Sequence, residues 1–148
     1  MSDNYTTCEL AVKNIVAGLT TYFETGSVTL GDFSPLDGGF DRVAVLSPGG
    51  FTSERGTMSS NLRGWTINID IFQRFEGSAD TYTTFKAMRA AIIDALDTAR
   101  NLPAVGDVAD VNVSARSEPS MVSKQGTNTL THLVQALQVT IKQYVEVP

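Results

Sequence analysis

His132 is the only histidine in the chain and Cys8 the only cysteine. Those two counts limit what the side chains can do. A single histidine cannot anchor a multi-histidine metal site, and a single cysteine can neither anchor a thiolate site nor form an intrachain disulfide. A Cys8–His132 nucleophile pair is the one arrangement of this kind left. It needs an accessible thiol, yet Cys8 falls on the apolar stripe of the first expected helix, where a free cysteine reads as a small buried hydrophobe. His132 reads as an ordinary strand residue near a loop edge.

The carboxylates are scattered. Asp107 and Asp110 flank the start of a short expected strand, while Asp94 and Asp97 share a helix face and read as a solvated edge. A working acid–base pair needs surroundings that push the two groups apart, and no such contrast is signalled. Gly31 to Asp41, GDFSPLDGGFD, is acidic and glycine-rich but lacks the alternate-position ligands and closing Glu of a calcium loop. Neither a phosphate-binding loop nor a G-x-S-x-G elbow occurs. The residues therefore assign no catalytic, metal or cofactor site, and the expectation is a protein that is not an enzyme.

The strongest pattern lies in the elements that would position such groups. In LRGWTINIDIFQRF, Leu62 to Phe75, the residues Trp65, Ile67, Ile69 and Ile71 recur at a spacing of two. Alternate side chains of a strand share a face, so these four must be covered together, leaving Thr66, Asn68 and Asp70 on the other side. After the break EGSAD a helix begins at Asp80 or Thr81. Its stripe is Phe85, Met88, Ile92 and Leu96, with Lys86, Arg89, Asp94 and Asp97 on the wet side and a stop at Asn101 and Pro103. An earlier helix opens at Thr6, where Thr6 and Glu9 have capping-box spacing. It carries Cys8, Val12, Ile15, Leu19 and Tyr22, with Gly26 as a stop. Strands are expected at Arg42 to Leu46, around Val108 to Ala115 and from Leu133 to Val147. The expected order α-β-β-α-β-β gives an α+β domain: a mostly antiparallel four-stranded sheet with two helices on one face.

Two stretches read as long loops, residues 47–64 and 117–129, both rich in Ser, Gly and Thr. They interrupt hairpins and do not separate domains, so the reading is one domain over residues 1–148. The first stretch carries Phe51, Arg55, Met58 and Arg63, the second Met121 and Lys124. Aromatic, Met and Arg side chains are enriched at protein interfaces, so these six are the candidate assembly residues.

Composition excludes other classes. Hydrophobic residues make up 42% and charged residues 18%, ordinary for a folded globule, and the net charge of −5 argues against a basic nucleic-acid-binding surface. No stretch approaches the ~20 apolar residues of a membrane span, and MSDNYTTCEL lacks the basic and apolar regions of an export signal. Folding in a reducing cytoplasm is expected, with no membrane partner.

The layout resembles the tail-terminator (tail-completion) proteins of long-tailed bacteriophages. The resemblance covers nearly the whole chain. It rests on an N-terminal amphipathic helix, a W-x-I-x-I-x-I-F-x-R-F strand from Trp65 to Phe75, and an F-x-x-M-R-x-x-I-I-x-x-L-D helix from Phe85 to Asp97. A Leu-Pro, Gly-Asp-Val turn from Leu102 to Val108 and a long C-terminal strand complete it. It implies a structural virion protein of the tail, assembled in the host cytoplasm as a homo-oligomer, typically a hexameric ring, on the head-proximal end of the tail tube. Such a ring ends tube polymerisation and offers the docking surface for the head connector or neck protein. Genomic DNA passes through it without sequence-specific binding, and no cofactor or catalysis is implied. A neck or head-completion connector shares this size and layout. A small-molecule-binding α+β domain or enzyme is the alternative from a different class.

Overall fold

The computed structural model describes residues 4–33, 40–55, 60–74, 79–98, 108–123 and 130–146. Two helices, α1 (Asn4–Ala17) and α2 (Ala79–Thr98), accompany six strands: β1 (Val28–Leu30), β2 (Arg42–Arg55), β3 (Ser60–Arg74), β4 (Val108–Ala115), β5 (Ser120–Ser123) and β6 (Leu130–Glu146). The class is α+β, as the residue periods imply. The sheet is larger than the expected four antiparallel strands. Its order is β1-β2-β3-β6-β4, with β5 also on β6, and β1 pairs parallel to β2 while the other pairings are antiparallel. The element order is accordingly α-β-β-β-α-β-β-β.

The core forms where the two periods meet. Ile67, Ile69 and Ile71 are fully buried with Ala44 and Leu46 of β2 and Leu137, Val139 and Ile141 of β6. The helices cover this face with Cys8, Val12 and Val16 from α1 and Phe85, Met88, Ile92 and Leu96 from α2. Each such large side chain contributes roughly 1.5–3 kcal/mol on burial. Ile15 and Leu19 are half-buried against the same cluster. Residues 4 and 5 are already helical, so Thr6 lies inside the first turn and not at its cap. The helix ends at Ala17, and residues 18–23 continue as turns.

The reading of residues 47–64 as a loop is corrected. β2 runs on through Ser-Pro-Gly-Gly to Arg55, and β3 begins at Ser60, in one hairpin with pairs from Ser47↔Asn68 to Arg55↔Asn61. A bulge between Pro48 and Gly50 makes this possible. At Gly49 an added Cβ would stand 2.7 Å from Cγ2 of Thr66, so a side chain is crowded there, and Gly50 has φ 115°, a conformation that favours glycine. The second expected loop also contains structure. β5 occupies Ser120–Ser123, collinear with β4 along β6, and only residues 124–129 of that stretch lie outside the described residues.

Candidate functional site

Two neighbouring clefts, of about 160 and 100 Å³, share Asp41 and Arg42 at the end of the sheet where β2 starts and β3 finishes. Thr20 to Tyr22, Glu24 and Phe40 line the larger. Gln73, Arg74 and the first turns of α2, Asp80, Thr81 and Thr84, line the smaller. Arg42 sets its guanidinium over the Tyr22 ring, 5.9 Å from the centroid, and Arg74 pairs with Asp41 at 3.6 Å. That ion pair is solvent-exposed and contributes about 0–1 kcal/mol. Gln73 is buried and donates from Nε2 to the Thr81 carbonyl at 3.1 Å, tying β3 to the start of α2. The clefts contain guanidinium, carboxylate, amide and hydroxyl groups but no thiol or imidazole. Among the described residues, Arg42 Nε and Gln73 Oε1 have no hydrogen-bond partner, yet both atoms are sealed from solvent, so neither presents itself to an incoming ligand.

The face of the sheet away from the helices divides in two. Near the clefts, Val43, Val45 and Phe72 are buried with Phe40 and Val134 against them, and Phe33 packs edge-on to Phe72 at 6.2 Å. The unbroken apolar run RVAVL carried the signal for this second cluster, because a strand apolar on both faces is covered on both. Further along, the face is polar, with Thr66, Asn68, Asp70, Gln138 and Thr140. Asp70 lies between Val45 and Ala136 in register. Burial raises its carboxyl above the usual range, and the charge of Arg116 pulls it part of the way back.

Where they are described, the residues weighed for chemistry lie on separate elements. Cys8 is fully buried on the core-facing side of α1. His132 lies on β6, in register with Arg74 and Val122. Asp94 and Asp97 are exposed on α2; Asp110 is on β4, and Asp107 lies outside the described residues. Among the described residues, no group of three His, Cys, Asp or Glu side chains is placed to hold a metal ion, and no helix is long and apolar enough to cross a membrane.

The nominated assembly residues fall at two ends of the sheet. Phe51, Arg55 and Arg63 belong to the β2–β3 hairpin, in the pairs Phe51↔Trp65, Ser53↔Arg63 and Arg55↔Asn61. Met121 sits on β5 opposite Leu133, at the far end and on the other side of β6. Met58 and Lys124 lie outside the described residues. Arg63 is engaged within its own subunit: its guanidinium stands over the Trp65 ring at 5.8 Å, and its Nε is buried. A cation held over an indole contributes about 0.5–2 kcal/mol, a local stabilising role that a loop reading misses.

No protein-family model matches the chain, and a search of curated proteins finds no relative.

Proposed function

We propose that this chain is a structural subunit of a bacteriophage tail, a tail terminator that forms a ring on the head-proximal end of the tail tube. The observation that carries the reading is the run from Trp65 to Asp97. The strand with Trp65, Ile67, Ile69 and Ile71 leads straight into the helix with Phe85, Met88, Ile92 and Leu96, and the two are packed as one core. This module, with its N-terminal helix and long closing strand, is the layout through which the chain resembles tail terminators. On this reading the ring is hexameric, meets the tube on one side and the head connector or neck protein on the other, and lets DNA pass.

The test is tube polymerisation in vitro with purified tube subunits from the same phage. Adding this protein gives tubes capped at one end by extra ring density in electron micrographs, with elongation arrested at that end. Tubes that elongate unchanged and carry no added density overturn the reading. Density on isolated head connectors alone assigns the protein to the neck instead.

A further inference from the structure

The backbone directions of the sheet are legible from three hydrogen bonds. Ala44 donates to Ser27, and Leu46 accepts from Gly31, so the even residues of β2 face β1 up to this point. β1 ends at Leu30↔Leu46, and the next outward-facing position is Pro48, which has no N–H to offer. The bulge at Gly49 then reverses the phase. Beyond it Gly50, Thr52 and Glu54 turn their amides to β3, and Phe51, Ser53 and Arg55 turn theirs outward. On the opposite side Arg116 donates to Ala136, so Asp110, Asn112 and Ser114 face β6 and Val111, Val113 and Ala115 face outward. No described strand pairs with either outward edge. Neither segment, Phe51 to Arg55 or Val111 to Ala115, contains a proline or lysine of the kind that blunts an edge strand.

The two edges are complementary in direction as well as length. β2, β3, β6 and β4 alternate in direction, because each neighbouring pair is antiparallel. A copy displaced across the sheet, with at most a modest rotation about an axis running along the strands, therefore presents its β2 antiparallel to this copy's β4. A row of unpaired amides is a template for another strand, and among the described residues this sheet carries two mated ones. We propose that the β2 edge from Phe51 to Arg55 pairs antiparallel with the β4 edge from Val111 to Ala115 of a second copy, joining copies head to tail through one sheet. The register sets Phe51 against Ala115, Ser53 against Val113 and Arg55 against Val111, each pair exchanging two backbone bonds. A head-to-tail contact of this kind either closes into a ring or extends indefinitely. Closure into a ring rests on the tail-terminator reading; the strand pairing does not.

Cysteine cross-linking tests the register. Thr52 and Ser114 form the non-hydrogen-bonded pair in this alignment, with Cα atoms about 4.5 Å apart, within disulfide reach. The native Cys8 is buried, so the full-length double variant Thr52→Cys/Ser114→Cys is used directly. Oxidised at concentrations up to the solubility limit, it gives a ladder of covalent multimers on a non-reducing gel, at least tenfold more than Thr52→Cys/Asn112→Cys. Ser53→Pro, which removes an outward N–H, abolishes the ladder in the double-cysteine background while circular dichroism keeps the folded signal. Overturning results are no ladder above the single-cysteine controls, equal ladders from the two registers, or an undiminished ladder with Ser53→Pro. Dimers from Thr52→Cys alone also overturn it, because they place β2 against β2. The readout needs no tail tube: a ladder with no tube capping leaves the pairing standing and removes the tail-terminator reading. Capping with no ladder does the reverse.

Discussion

The indole N–H of Trp65 donates to Oε1 of Gln143 at 2.9 Å, inside the buried layer and across 78 positions of sequence. Gln143 stands opposite Arg63 in the β3–β6 ladder, and the Arg63 guanidinium lies over the same indole. Polar groups thus fasten the end of the sheet where the isoleucine ladder stops. A one-residue slip of β6 on β3 would turn every side chain of the strand to the other face and break the contact.

Gln143→Leu removes the acceptor from a buried donor and lowers stability by about 1–3 kcal/mol. The pair is a unit, so Trp65→Phe/Gln143→Leu costs less than the two single changes added together. Urea denaturation of the four proteins gives the coupling directly. A Gln143→Leu midpoint equal to or above that of the parent contradicts the role assigned to this bond.

Ile69→Ala tests the centre of the core. Ile69 is fully buried between Leu46 of β2 and Leu137 of β6, under the helix layer. Truncation leaves a cavity in a sheet clamped on both sides, and the cost is on the order of 2–5 kcal/mol. The denaturant midpoint checks it; an unchanged midpoint removes Ile69 from the core.

The bulge predicts a rescue. In Gly49→Ala the new Cβ meets Cγ2 of Thr66 at 2.7 Å, with Asn68 Oδ1 and the Thr66 carbonyl each at 3.1 Å. Overpacking of this kind costs about 1–3 kcal/mol. Thr66→Ser deletes the methyl group and recovers part of the loss in the Gly49→Ala background, while the backbone contact keeps recovery incomplete. Thermal melts of both variants decide it: no loss for Gly49→Ala, or no recovery with Thr66→Ser, contradicts the geometry.

These positions show what the sequence could and could not convey. Period two at Trp65 to Ile71 and period 3.6 at Phe85 to Leu96 are local signals that burial enforces, and those residues lie in the core as expected. Ser47-Pro48-Gly49-Gly50 has the composition of a break, yet an edge strand tolerates an outward proline, and a bulge absorbs the glycines. That tolerance depends on β1 ending at Leu30 and on Thr66 crossing beneath Gly49, which are tertiary facts. β1 itself has only three residues and pairs in parallel, too short for any periodic signature. Arg63 carried an interface-type side chain, but its position over Trp65 depends on the hairpin that the glycines concealed.

Cys8→Ser and His132→Ala test the non-catalytic reading. Both leave tail maturation intact in a complementation assay once stability is allowed for. Cys8→Ser places a hydroxyl in a fully buried site and lowers stability by roughly 1–3 kcal/mol. Complete loss of maturation by either variant, still folded by circular dichroism, points to a chemical role that the reading denies.

Asp70 makes stability depend on pH in a direction fixed by its surroundings. Burial between Val45 and Ala136 raises its carboxyl above the ordinary value, and the opposing charge of Arg116 only reduces that rise. The folded protein therefore binds this proton more tightly than the unfolded chain. The stabilising contribution is complete below the unfolded carboxylate value, about 4, and is lost as pH rises through the higher folded value. At pH 7 the ionised carboxylate is held at a cost that Asp70→Asn removes. The asparagine variant melts above the parent at pH 7, and its advantage shrinks as pH falls towards 3, where both side chains are neutral. Arg116→Ala deepens the cost: it lowers the melting temperature at pH 7, leaves it unchanged at pH 3, and widens the gain from Asp70→Asn. Melting curves of the four proteins at the two pH values suffice. An Asp70→Asn variant less stable than the parent at pH 7, with the deficit growing as pH rises, means that the ionised carboxylate is stabilising and that the polar sheet face solvates it better than its burial implies.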